Sequence, residues 1–268
     1  MQHLVAREWA YLKAHPQAVT STPNVAKIAQ ELWNELRDAC DFNDVTIDAD
    51  YDYNIFSKPS YLNVLAFASR TMWLINNTWV STAMASSNRL HGTIYIRVNP
   101  FVPNGWYEDD GSCGIGNRFD LKTVLRHELL HGVGLSSSIY PPSVGYYIND
   151  KCYPFDMDTK ITDASGNFII QGCNISTSTG IRMYVNGVEL YNPSGFQPGS
   201  SFSHANKGLM FYAIPSRQCL DIDDTSLRML NGLGAQCKST SFHTSSGQTR
   251  EFSFLILFLI FMLYFLKK

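Results

Sequence analysis

Between residues 23 and 40, apolar side chains recur at Val25, Ile28, Ala29, Leu32 and Leu36, the 3.6-residue period of a helix with one buried stripe. Thr22 is expected as its N-cap and Pro23 as its first residue, where the missing N–H is not needed. The period then drops to two. Val45, Ile47, Ala49 and Tyr51 alternate with Thr46, Asp48, Asp50 and Asp52, which predicts a half-buried strand. Residues 61–75 are apolar and fit strand or helix equally. Residues 93–98 predict another strand, stopped by Asn99-Pro100. Residues 120–132 predict a second helix, with Leu121, Leu125 and Leu129 on its core-facing side.

Beyond Gly134 the periodicity fades. Turn signals dominate: Pro141-Pro142, Ser165-Gly166-Asn167, Asn186-Gly187, Asn192-Pro193 and Pro198-Gly199. A short strand at 181–185 and a last helix at 225–233 sit among them. The order helix, strand, strand, helix and then irregular chain predicts an α+β fold of two lobes. The N-terminal lobe is a small twisted sheet with two helices, and the C-terminal lobe is loop-rich.

The ends read differently from the middle. Residues 1–20 are expected to be a leader or propeptide remnant, and 21–238 the folded domain. No apolar run of the kind a secretory signal needs occurs in the first twenty residues. Residues 239–251 form a polar stalk, and 252–268 an apolar tail ending in Lys267-Lys268. That tail fits either a GPI-attachment signal or a short membrane span. The 268-residue chain has six cysteines, Cys40, Cys113, Cys152, Cys173, Cys219 and Cys237, and no C-x-x-C pair. An even, dispersed set fits up to three disulfides in an oxidising compartment, with the pairing open; the competing reading is six free thiols in the cytosol. Sequons at Asn76 and Asn174 agree with secretion. A net charge of −2, with no basic run, argues against a nucleic-acid partner.

The chemistry concentrates in the second helix. It carries His127-Glu128-Leu129-Leu130-His131, an H-E-x-x-H, and residues i and i+4 share one helical face. Two imidazoles there can bind one Zn²⁺, with Glu128 beside them as the base for a metal-activated water. With 7 histidines in the chain, chance produces this motif in about 0.005 cases. The competing reading is a surface helix with two incidental histidines. Gly134 extends the motif to H-E-x-x-H-x-x-G, and up to this point the sequence resembles the metzincin metalloproteases. Most metzincins place a third His three residues later. Here that position is Ser137, a poor zinc ligand.

A catalytic zinc takes three protein ligands and keeps a position open. Glu189 lies in a turn-strand context and Glu251 abuts the tail. His91 opens a strand upstream, while His3, His15 and His243 are peripheral. His204 remains, six residues before Met210. This arrangement is similar to leishmanolysin-like metzincins, in which the third His comes from a distant segment just before a Leu-Met turn. The resemblance implies a two-lobe catalytic domain, with Zn²⁺ on His127, His131 and His204 and Glu128 as general base. It also implies a zinc endopeptidase acting on protein or peptide substrates. The expected protein is a monomer at the cell surface, held to the membrane through its C-terminal tail. The alternatives are an inactive surface adhesin on the same scaffold and a tail-anchored cytosolic zinc protein. Residues 93–98 are expected as the edge strand above the cleft. Tyr212 matches a tyrosine that some metzincins bring to the metal. Asp156, Asp158 and Asp163 lack the pattern of a calcium loop and read as turn residues.

Overall fold

The computed structural model describes residues 24–238 except 62, 88, 109–116, 142, 149–150, 172 and 176–181. The expected leader, stalk and apolar tail lie outside these residues, as do Thr22 and Pro23. Among the described residues no helix is long and apolar enough to cross a membrane.

The fold is α+β. Helix α1 (Val25–Ala39) starts two residues later than the sequence suggests, because Asn24 is the cap: its side-chain oxygen accepts the Lys27 N–H. Val25, Ile28, Ala29, Leu32, Trp33 and Leu36 are its buried face. Strand β1 (Thr46–Tyr51) follows. A one-turn helix α2 (Tyr53–Phe56) and a 3₁₀ turn lead into β2 (Ala66–Arg70) and the hairpin β3 (Met72–Ile75) and β4 (Thr78–Ser81). The ambiguous stretch 61–75 is therefore mostly strand. Its sequon residue Asn76 and the adjacent Asn77 make the hairpin tip, both with positive φ, as a two-residue turn demands.

Strand β5 (Thr93–Val98) corrects one expectation. It is not an edge: it pairs in parallel with β1 and antiparallel with β2, in the order β1-β5-β2. Ile94, Ile96 and Val98 are buried on its face toward the helices, while its position between β1 and β2 is set by long-range pairing. On the opposite face Arg97 makes a two-pronged contact with Asp48, at 2.9 and 3.1 Å. The edges are β1 and β2, and β2 carries only small or partly buried residues along Ala66-Phe67-Ala68-Ser69.

Short parallel strands β6 (Trp106–Tyr107) and β7 (Phe119–Asp120) precede helix α3 (Leu121–Val133), which packs against β2, β5 and α1. Asp120 caps α3 through the Thr123 N–H. Leu121, Leu125 and Leu129 are buried as expected, but so are Val124, His127, Glu128, Leu130 and Val133. The helix is thus enclosed almost all round, more than the one-sided stripe suggests.

The remaining chain is a set of small hairpins. Strands β8 (Ile139–Tyr140), β9 (Ser143–Val144), β12 (Ile170–Gln171) and β13 (Asn174–Ile175) form one small sheet. Strands β10 (Tyr146–Ile148) and β11 (Lys151–Tyr153) pair with each other. So do β14 (Tyr184–Val185) and β15 (Val188–Glu189), around an Asn186-Gly187 turn with φ of 48° and 72°. Helix α4 (Asp224–Gly232) closes the fold, capped by Asp223. Disulfides join Cys40 to Cys237 and Cys152 to Cys173, and Cys219 is also disulfide-bonded. The first of these ties the end of α1 to the end of the described chain.

Candidate metal centre

The site starts from the end of α3. His127 and His131 are one turn apart and project from the same face. Just beyond them the helix must stop. Gly134, at φ 141°, ends it with its N–H on the His131 carbonyl, and the Leu135 N–H returns to the Leu130 carbonyl. A Cβ at Gly134 would meet only ordinary contacts. The glycine is therefore required by backbone angle, not by space. The turn it allows brings the Leu135 carbonyl to His131 Nδ1, at 2.5 Å.

His204 arrives from a different direction. Its segment is clamped to 189–191: the Tyr191 N–H donates to the His204 carbonyl at 2.7 Å, and the Phe202 N–H to the Tyr191 carbonyl at 2.9 Å. Phe202 is fully buried at φ 66°, a left-handed conformation that a bulky residue adopts only when its surroundings enforce it. The Ala205 N–H then bonds the Met210 carbonyl at 2.8 Å, which closes a tight loop through Gly208-Leu209-Met210. Met210 is fully buried within the core next to Leu209.

The three imidazoles converge. Nε2 of His127 lies 3.1 Å from Nε2 of His131 and 3.2 Å from that of His204, and the third side of the triangle is 3.2 Å. Each Nδ1 faces a carbonyl oxygen: Leu209 for His127 at 2.7 Å, Leu135 for His131, and Ser200 for His204 at 2.9 Å. A carbonyl only accepts, so each Nδ1 carries the proton and each Nε2 presents a lone pair. Three lone pairs directed at one point in a buried site repel one another unless a cation stands among them. The spacing suits one: nitrogens about 2.0–2.1 Å from a tetrahedral ion are about 3.3–3.4 Å apart. Among the described residues this is the one group of His, Cys, Asp or Glu side chains close enough to hold an ion. The three histidines thus form a set that can hold a metal. His91 is exposed and stands apart from it; His3, His15 and His243 lie outside the described residues.

Electrostatics agree with a neutral, metal-binding set. Burial, and then the His204 charge, lower His127 to about 3. His131 is held well below its ordinary value by burial and by the other two rings, and His204 is lowered by burial. Glu128 is not part of the triangle. Its carboxyl is buried beside it, pushed up to about 8 by desolvation, and opposed by a hydrogen bond from the Ala68 backbone on β2.

A cleft of about 820 Å³ opens over the three histidines. One wall is the β2 edge. The ladder to β5 uses the backbone of alternate residues, which leaves the N–H and C=O groups of Ala66, Ala68 and Arg70 facing away from it. Phe119, Val124, Ile214, Arg70, Tyr146 and Phe155 also line the cleft. Tyr212 is 41% exposed at the rim and stacked on Tyr191, with ring centroids 4.0 Å apart.

Some supporting groups were not legible in the sequence. Asp163 is a turn residue as expected, accepting the Ser165 and Asn167 N–H groups. Asp158 also lies in a turn, the 3₁₀ turn Asp158–Lys160, but it is completely buried, and Ser137 Oγ donates to its carboxylate at 2.6 Å. Burial pushes Asp158 up, against these donors. Arg70, lowered by burial to about 10 and so still cationic at neutral pH, donates to the His131 carbonyl at 2.9 Å.

Compared with protein-family models, with curated proteins and with solved structures, the chain finds no match.

Proposed function

We propose that the chain is a zinc-dependent endopeptidase of the leishmanolysin-like metzincin kind, working outside the cell. The observation that carries this reading is the convergence of three Nε2 lone pairs, with Glu128 adjacent, beside the β2 edge of the sheet. His127, His131 and His204 hold the ion, and their carbonyl partners fix the tautomers that allow it. A zinc ion in that position supplies Lewis acidity to a carbonyl group and acidifies water. Glu128 takes a proton from the attacking water and returns it to the leaving amine. The outward groups of β2 other than the Ala68 N–H, which Glu128 occupies, bind an extended peptide as an added strand, which sets the scissile bond over the site. The low wall of alanines on β2 leaves room for that backbone, and the apolar walls exclude water from the reacting bond.

The disulfides support an oxidising compartment. Attachment to the cell surface through residues 252–268 completes the proposal. It is tested by metal analysis of the purified full chain, together with cleavage of an unstructured protein before and after chelation. About one zinc per chain and cleavage abolished by the chelator are expected. Bound zinc without any cleavage would instead favour a binding protein built on the same scaffold, and absence of zinc would overturn both.

A further inference from the structure

Two segments far apart in the chain must meet accurately for the histidine triangle to form: the turn after α3 and the segment bearing His204, which is 73 residues beyond His131. A buried polar cluster lies between them. Its centre is Asp158, 0% exposed. The carboxylate accepts from Ser137 Oγ at 2.6 Å, from the Ser138 N–H at 3.0 Å, from the Phe155 N–H at 3.1 Å, and from Ser138 Oγ. Ser137 is the joint. Its Oγ, committed to Asp158 as a donor, accepts the Ile139 N–H at 3.0 Å, while its own N–H donates to Ser203 Oγ, also at 3.0 Å. Ser203 is the residue before His204. On the far side Arg70 faces Asp158 electrostatically and binds the carbonyl of His131.

We infer that Asp158 is the positioning residue for the third metal ligand: acting through Ser137 and Ser203, it sets where the His204 ring stands relative to His127 and His131. The inference rests on the metal-site reading above and not on peptidase activity. The physical reason is the imbalance that its removal creates. Without the carboxylate, two part-buried hydroxyls and the Ser138 N–H lose their acceptor, and the Phe155 N–H keeps only a longer bond to Ser138 Oγ at 3.4 Å, so the loop 136–138 shifts to find others. Ser203 is bonded to that loop and moves with it. The helix histidines are held by α3 itself, so the displacement falls on His204.

The test measures zinc affinity by competition with a chromophoric chelator, and the visible absorption of the Co²⁺-substituted protein, on the full chain. Asp158→Ala is expected to weaken zinc about 10–100-fold, the usual range for partners that orient metal ligands. It should also dim the Co²⁺ band as a four-coordinate site gives way to a more open one. Asp163→Ala, which removes a turn carboxylate of the same region that accepts from Ser165 and Asn167, is expected to change neither. Ser137→Ala removes a single hydroxyl and should weaken zinc in the same direction; it carries the test where Asp158→Ala does not fold. Folded Asp158→Ala or Ser137→Ala protein with wild-type zinc affinity and an unchanged Co²⁺ band would overturn the inference, because a residue that only stabilises the fold would lower the melting temperature and leave both readouts alone. A wild-type chain that takes up no zinc overturns the metal-site reading itself, and the inference with it.

Discussion

Replacing Gly132 by alanine tests how closely the metal-bearing helix approaches the sheet. In an exposed helix interior this change stabilises by about 0.8–1.0 kcal/mol, because glycine carries the larger entropy loss. Here the glycine lies at the contact between α3 and β5. A Cβ would collide with Ile94 Cγ2 and sit 3.1 Å from both Cγ1 and Cδ1 of the same side chain. Ile94 is 2% exposed and β-branched, so it has no free rotamer into which to retreat. Overpacking of this kind costs about 1–3 kcal/mol. Set against the helix-propensity gain, the net effect is a loss of up to about 2 kcal/mol, or up to about 8 °C in melting temperature for a domain of this size. Thermal or denaturant unfolding measures it. Adding Ile94→Ala, which removes the obstructing methyl, should make the second substitution cost less in the Gly132→Ala background than alone, by at least about 0.5 kcal/mol. A Gly132→Ala protein more stable than wild type, or strict additivity in the pair, would refute the close approach.

His204→Ala should weaken zinc by more than about 100-fold, beyond the usual effect of losing a supporting residue, while His91→Ala leaves it unchanged; equal effects of the two would dismiss His204 as a ligand. Replacing Cys40 and Cys237 together by serine opens a loop with a sequence separation of 197 and should destabilise by up to about 5 kcal/mol. The Cys152 and Cys173 pair, with a separation of 21, should cost about 3 kcal/mol, and denaturant midpoints in the reverse order would contradict the loop-closure account.

Local chemistry carried most of what the sequence revealed. The helix with H-E-x-x-H was visible because two ligands and a base fall on one turn, and Gly134 because only one residue type suits its φ. His204 was reached by elimination and by resemblance, since nothing in its own neighbourhood marks a ligand. Its partners Ser200, Tyr191 and Ser203 act through backbone and hydroxyl groups that any sequence offers. The edge strand was misassigned for a related reason. Residues 93–98 read as strand while 61–75 fitted strand or helix equally, and the order across the sheet depends on long-range pairing that periodicity does not encode. The apparent turn residue Asp158 shows the same limit: an aspartate in a loop looks solvated until the fold brings Ser137 and Ser138 to it, 20–21 residues away. The N-cap of α1 slipped from Thr22 to Asn24 because both residue types cap well and the choice falls to the packing of Val25.

The central claim is that Glu128 moves the proton while the three histidines only hold the metal. The most direct measurement compares zinc content and hydrolysis of an unstructured protein substrate for wild type and Glu128→Ala. The expected result is full zinc occupancy in both, an unchanged fold, and hydrolysis lowered about 10²–10⁴-fold in the variant, the usual contribution of a general acid–base group. A Glu128→Ala protein that keeps its zinc and most of its peptidase activity would contradict the account.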